Sequence, residues 1–360
     1  MNNMMIGLLF GGVSSEHEVS CVSASTVRSA LEQAGAQVLP IGITRDGHWY
    51  AYSGTAQQMA DGSWQQDTDH LTKCVLSPDR ADHGVWLMGT APRLVALDVV
   101  FPVLHGKNGE DGTVQGLLEL AGIPYVGCGV LASAVCMDKA VANTLLDAAG
   151  IPRCEWDWAW KADCEDFDAL EERLARKLGY PIFVKPANAG SSVGISKAAD
   201  KSALRKAIQV ALAEDDKVVF ERFVEGQEVE CAAIGNLGGE TTTRPGEILA
   251  GDEFYTYDDK YKNGVSRTLI PASLSEEKLD EVKEQARRAY RVLGCSGLSR
   301  CDFFVEKGTG RVLLNELNTL PGFTAISMYP KLMEAAGVSL PQLVTRLVEL
   351  ALERAGVRHG

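Results

Sequence analysis

The chain has no excess of positive charge, no paired cysteines and no long apolar run, and each absence removes a class of function. Lys and Arg number 35 against 48 Asp and Glu, a net charge of −13. That is the wrong sign for a protein that coats nucleic acid or an anionic membrane, so neither is expected as a partner. The nine cysteines, at 21, 74, 128, 136, 154, 164, 231, 295 and 301, form no CxxC pair and do not cluster with histidine. A disulfide framework and a zinc site are therefore set aside, and the thiols read as small buried hydrophobes in a reducing, cytoplasmic setting. No stretch nears the ~20 apolar residues of a membrane span. Met1–Phe10 has no basic segment ahead of its apolar run, and GxxxxGK(S/T), the phosphate loop, is missing. The expectation is a soluble intracellular protein.

What is there is ordinary globular material: 46% apolar, 23% charged, with 36 Gly and 13 Pro in 360 residues. That length suggests two or three domains. The apolar run at 4–10 stops at Gly11-Gly12 and gives way to a helical pattern at Val19, Val22, Val27, Ala30, Leu31 and Ala34. It reads as strand, tight turn, helix, and with the apolar runs at 37–43 and 94–104 it predicts parallel β-α-β pairing. The polar stretch 51–93 reads as an excursion from that sheet, irregular or hairpin in structure. Further on, helices are expected near 138–149, 164–178, 200–213, 275–293 and 339–354. Strands are expected at 181–186, 217–224, 228–235, 301–307 and 311–317.

Five segments carry candidate chemistry. GGVSSEHEVS (11–20) is a glycine turn opening a helix; it is either a plain joint or an anion site, and Glu16 in it is either a partner for the helix dipole or a receptor for an ammonium. HGKNGEDGTVQG (105–116) follows an apolar strand, where ligands lie in open α/β sheets. VKPANAGSSVGISK (184–197) places Lys185 at a strand end and then a small-residue loop with Ser191 and Ser192, suited to phosphates. In SRCDFFVEKGTGRVLLNELN (299–318), Glu316 and Asn318 share a strand face and Asp302 can oppose them across a hairpin. Three hard oxygen ligands without His or Cys suit magnesium; the alternative is a salt-bridge cluster with Arg300. FYTYDDKY (254–261) is either a solvated loop or a lid.

Taken with MDK (137–139), FERFVEGQEVE (220–230) and NELNTLPGFTAISMYP (315–330), these blocks make the chain resemble the D-alanine–D-alanine ligases of the ATP-grasp superfamily across residues 11–330. The resemblance implies an α/β (α+β) ATP-grasp fold of three domains: an N-terminal doubly wound parallel sheet (1–130), a central unit with the lid loop (131–225) and a C-terminal unit (226–360). ATP is held between the last two. It implies ligation of two D-alanines through a D-alanyl phosphate for peptidoglycan, two Mg²⁺ (or Mn²⁺) ions and a homodimer. Residue by residue, Lys139, Lys185, Ser192, Glu221 and Glu228 match ATP ligands, and Asp302, Glu316 and Asn318 match metal ligands. Glu16 matches the receptor of the first D-alanine ammonium, and with Ser191 and Tyr261 it would latch the closed loop. Lys260 matches a loop lysine that reaches the transferring phosphate. His105, Arg300 and Gly322 match groups around the acyl phosphate and tetrahedral intermediate, and Ser327 and Met328 match the second amino-acid subsite. Relatives that prefer D-serine carry Arg where Met328 stands, so D-alanine is the expected second substrate, ahead of D-serine or D-lactate.

Overall fold

In the computed structural model, residues 1, 3–190, 193–249 and 267–357 are described. The first unit holds β1 (Met5–Gly11), α1 (His17–Gln33), β2 (Gln37–Ile43), β3 (Trp49–Tyr52), α2 (Ala56–Ala60), β4 (Leu71–Leu76), β5 (Gly84–Leu87), β6 (Arg93–Ala96), β7 (Val99–Val103) and α3 (Thr113–Ala121). Its seven strands lie in the order β6-β5-β4-β3-β2-β1-β7. The expected parallel pairing is there, with β1 flanked by β2 and β7. The remaining neighbours are antiparallel, so the sheet as a whole is mixed.

Two expectations change. The stretch 51–93 does not leave the sheet: its hairpins extend it, and Trp64 between them is fully buried. That indole lies edge-on to Phe10, with ring centroids 4.9 Å apart, and fills the space over Gly42, where a Cβ would stand 2.5 Å from it. The apolar run 94–104 is two strands rather than one. Asp98 breaks it, exchanging hydrogen bonds with both backbone groups of Met5. β6 and β7 therefore sit at opposite ends of the strand order although two residues join them, which requires the sheet to coil strongly.

The chain continues through α4 (Val130–Met137), α5 (Lys139–Ala148), β8 (Trp156–Trp160), α6 (Phe167–Leu178), β9 (Ile182–Pro186), β10 (Ser196–Ala198), α7 (Lys201–Leu212) and β11 (Lys217–Arg222). These strands form an antiparallel sheet ordered β10-β9-β11-β8, covered on one face by the apolar stripes of α6 and α7. The third unit has β12 (Gly226–Gly235), β13 (Thr241–Thr242), β14 (Gly246–Leu249), β15 (Arg267–Leu269), α8 (Glu276–Val292), β16 (Gly297–Glu306), β17 (Val312–Asn318), α9 (Met328–Ala335) and α10 (Leu340–Arg354). Its sheet runs β15-β14-β12-β16-β17, with β13 pairing β12. Among the described residues, no single helix is long and apolar enough to cross a membrane.

The first and third units share one core. Leu8, Val27 and Phe101 pack in the same cluster as Leu298, Phe323, Tyr329, Leu343 and Leu347. A polar clamp reinforces this seam: the Arg354 guanidinium donates to Tyr125 O (2.9 Å), Ser296 Oγ (2.8 Å) and Gly127 O, and lies 4.4 Å from the Tyr125 ring centre. Removing it leaves two carbonyl groups of the first unit and a hydroxyl of the third without this donor. Arg354→Ala is therefore expected to destabilise the protein by about 2–4 kcal/mol, read as a lower denaturation midpoint, and an unchanged midpoint would mean the clamp is idle.

Candidate active site

β9, β11 and the third sheet enclose a cavity of about 910 Å³. Its wall mixes apolar groups (Met137, Phe183, Phe223, Val224, Phe304) with Lys139, Lys185, Glu228, Asp302, Glu316 and Asn318. Phe183 and Phe223 stack with centroids 5.8 Å apart, and the Lys197 ammonium lies 4.1 Å over the Phe223 ring. Apolar rings beside cations suit a molecule with a flat base at one end and phosphates at the other.

Lys185 owes its place to strand register. It shares a face of β9 with Phe183 by the two-residue period, and Phe183 pairs with Glu221 across the ladder to β11. The Lys185 ammonium meets Glu221 Oε2 at 2.5 Å and donates to Asn315 Oδ1 at 3.2 Å. Burial works against the Lys185 charge, but Glu221 and Glu316 outweigh it and its pKa is raised. Burial would likewise raise Glu221, yet Lys185 and Arg153 hold its carboxyl below the usual value. Lys139 opens α5; its amide donates to Ala187 O and its ammonium to Ala189 O (2.7 Å), 3.8 Å from Glu316 Oε2. Both lysines thus stand at the root of the 187–194 loop.

On the opposite wall, Asp302 and Glu316 are direct cross-strand partners. The Arg300 fork donates to both Asp302 oxygens (2.7 and 2.6 Å) and lies 2.9 Å from Glu230, and the Asn318 amide donates to Asp302 Oδ2 at 3.0 Å. A bulge in β17 slips the register just beyond this pair, and Asn315, Glu316 and Asn318 all line the cavity. The strict period expected from sequence gave Glu316 and Asn318 but not Asn315. Among the described residues, no three His, Cys, Asp or Glu side chains form a self-contained metal cage. Two carboxylates and an amide on a cavity wall fit an ion that takes its remaining oxygens from phosphates, which is how Mg²⁺ is usually held.

Beside the cavity, hydrogen bonds bring together the loops 11–16, 105–112 and 319–327. Glu16 is buried at the start of α1. A Cβ on Gly106 or on Gly190 would come within 2.8 or 2.7 Å of its Oε2, so any larger residue at either would displace this carboxylate. His105 is neutral, its pKa lowered by burial against the opposing pull of Glu16. Since Leu320 O accepts at 3.0 Å, the proton sits on Nδ1, and Nε2 can accept from Ser23 Oγ (3.4 Å), which itself accepts from the Phe323 amide. A Cβ on Gly322 would strike Ser327 Oγ at 2.7 Å. Ser327 turns that hydroxyl to Thr324, and Met328 is buried in the core with its sulfur against Gly246. Ser191, Ser192, Lys260 and Tyr261 lie outside the described residues.

Sequence reading missed Glu110. Its oxygens accept from the Gly106 amide (2.7 Å) and the Leu320 amide (3.2 Å), tying two site loops together at the cavity. Burial, then the neighbouring Glu16 charge, pushes its pKa up to about 8. The signal was present as the one Glu in HGKNGEDG, but its burial was not.

Family models for the "D-ala D-ala ligase N-terminus" and "D-ala D-ala ligase C-terminus" match residues 5–128 and 145–349. The chain belongs to the D-alanine–D-alanine ligase family. It is thus an enzyme of ATP-grasp fold that uses ATP. The D-alanine--D-alanine ligase of Caldicellulosiruptor bescii is 47% identical, covering 98% of this chain and 96% of its own. That of Acetivibrio thermocellus is 46% identical, covering 96% and 95%. Among solved structures, the VanG D-Ala:D-Ser ligase from Enterococcus faecalis superposes with a TM-score of 0.88 at 40% identity over 97% of this chain and all of its own. The D-alanine-D-alanine ligase from Coxiella burnetii gives 0.86 at 34%, over 98% and 96%.

The Glu110 assignment has a pH consequence. The folded protein keeps a proton that the unfolded chain releases above about 4.5, so this group lowers stability as pH rises from 4.5 toward 8. Glu110→Gln should remove up to about 1.4 kcal/mol per pH unit from that fall. Denaturation midpoints at intervals across the range check it, and an unchanged slope would mean Glu110 is ionised in the fold.

Proposed function

We propose that the enzyme joins two D-alanines into D-alanyl-D-alanine through a D-alanyl phosphate, releasing ADP and phosphate for peptidoglycan precursors in the cytoplasm. The carrying observation is the cavity whose wall sets Lys139 and Lys185 against Asp302, Glu316 and Asn318, with Glu16 buried beside Gly190 of that wall. An amine cannot displace oxide from a carboxylate in water; phosphorylating that carboxylate turns the leaving group into phosphate.

ATP would lie between the second and third sheets, its base among Phe183, Phe223 and the 221–224 backbone, its ribose at Glu228 and its phosphates at Lys139, Lys185 and Ser192. Asp302, Glu316 and Asn318 would hold Mg²⁺ or Mn²⁺, which when bound neutralises phosphate charge. Glu16 takes the ammonium of the first D-alanine, and its carboxylate is aimed at the γ-phosphate. Gly190 lies beside the Glu16 carboxylate, where a Cβ would stand 2.7 Å from Oε2, and this supports a latch of Glu16 with Ser191 and Tyr261 that excludes water, with Lys260 on the same lid. The second amine then attacks the acyl carbon. Arg300 and the backbone near Gly322 offset the developing oxyanion, and His105, neutral and fixed, keeps the 320–323 loop in place. Ser327 and Met328 shape the second subsite. Met328 is buried and apolar, offers a serine hydroxyl no partner, and so supports D-alanine there. A homodimer completes the reading.

The assay is ADP release with ATP, Mg²⁺ and D-alanine, with mass spectrometry of the products. D-alanine should give D-alanyl-D-alanine and L-alanine none, while D-serine supplied with D-alanine should give a mixed product at ~10–100-fold lower efficiency. No D-alanine-dependent ADP would overturn the proposal. Arg300→Ala should lower kcat by ~10²–10³; a loss below tenfold would remove it from the oxyanion site.

A further inference from the structure

A buried arginine outside every motif stands behind the nucleotide cavity. Arg153 lies between α5 and β8, where its backbone bridges to Leu314 of β17. Its side chain is 4% exposed, yet none of its three guanidine nitrogens makes a hydrogen bond. The group is held by the Trp156 ring, 4.9 Å from Cζ, and by two carboxylates: Asp147 Oδ1 at 3.7 Å from Nε and Glu221 Oε1 at 3.8 Å from Nη2. The other oxygen of Glu221 faces Lys185 at 2.5 Å. One buried carboxylate therefore lies between two buried cations.

Packing gives no reason for a desolvated guanidinium with no close oxygen acceptor, its carboxylates standing 3.7 and 3.8 Å away. Charge balance does. Lys185 and Glu221 alone sum to zero, and such a pair presents little field to incoming phosphates. With Arg153 the cluster carries one net positive charge, and the carboxylate is drawn toward the rear. Asp147 does not cancel this, because its side chain is 49% exposed and water screens it. The outer cleft that Arg153 also lines pairs Lys177 and Arg311 with Asp147, Glu155 and Asp157, a balance that selects no ligand of its own.

We propose that Arg153 is a positioning residue for ATP: it holds Glu221 from behind, so that Lys185 presents its ammonium to the nucleotide phosphates. The inference rests on the cavity being the ATP site. Steady-state kinetics on the full-length enzyme test it. Arg153→Met should raise KM for ATP on the order of tenfold, since a charge ~4 Å from a buried carboxylate is worth that much even in a well-screened interior. The KM for D-alanine, and kcat at saturating ATP, should stay within about twofold. Arg153→Lys, which keeps the charge, should recover most of the loss. On a Glu221→Gln background, where no carboxylate competes for Lys185, the Arg153→Met effect should largely vanish. Should the Met variant not fold, Arg153→Gln takes its place. An unchanged KM for ATP overturns the proposal. So does a fall in kcat together with a rise in KM for both substrates, which marks a merely structural role, or an effect that adds fully to Glu221→Gln. Absence of D-alanine-dependent ADP release by the unmutated enzyme would instead overturn the reading of the cavity.

Discussion

The ion pair between Lys185 and Glu221 is the constraint around which the nucleotide cavity is built. A cation and an anion, both more than nine-tenths buried, are tolerable only with each other, and separating them would leave a desolvated charge on each side. Their meeting needs β9 and β11 antiparallel in one register, because a one-residue slip would turn Lys185 to the other face. With that register set, Phe183 falls on the cavity side beside Lys185, and Pro186 ends the strand where the 187–194 loop must begin. Asn315, delivered by the β17 bulge, reaches across to the same ammonium and joins the two walls. The pair thus links strand pairing in one sheet to side-chain placement in the next.

The loop cluster around Glu16 and His105 depends on a different constraint, the core shared by the first and third units. Because Leu8 and Phe101 pack with Phe323 and Tyr329, the loops leaving β1 and β7 are pinned against the loop before α9. Ser23, His105 and Glu110 then meet Leu320 and Phe323 through hydrogen bonds spanning more than 200 residues of sequence. Glycines at 106, 190 and 322 let the backbones approach. Rigid loops on packed elements, beside a cavity that opens to solvent, are what a two-stage reaction asks for: one carboxylate activated, then shielded until an amine arrives.

Local signals made much of this legible in the chain. The strand-glycine-helix order around β1, the Lys185 strand and the Asp302/Glu316/Asn318 face follow from periods of 2 and 3.6 that any reader can count. What stayed hidden depends on distance in space. The polar pattern of 51–93 gave no sign that Trp64 would fill the core over Gly42, since its partners come from β1 and β2. Asp98 looked like one polar residue in an apolar run, and only Met5 makes it a break. Asn315 entered the site through a bulge, which period-two counting cannot foresee. Glu110 and Arg153 are ordinary charged residues in sequence, and what sets them apart, the Leu320 amide held by one and the burial of the other, is settled by elements far along the chain. Met328 reads as a subsite residue by resemblance, and the structure buries it in the core beside Gly246.

If the first D-alanine is phosphorylated before the peptide bond forms, an oxygen of its carboxylate must leave as part of phosphate. The reaction run with D-alanine whose carboxylate carries heavy oxygen, and the mass of the released phosphate, test this step. Each phosphate produced should carry one labelled oxygen taken from the D-alanine carboxylate, because that oxygen bonds to phosphorus and leaves with it. Phosphate without label, released together with D-alanyl-D-alanine, would contradict it.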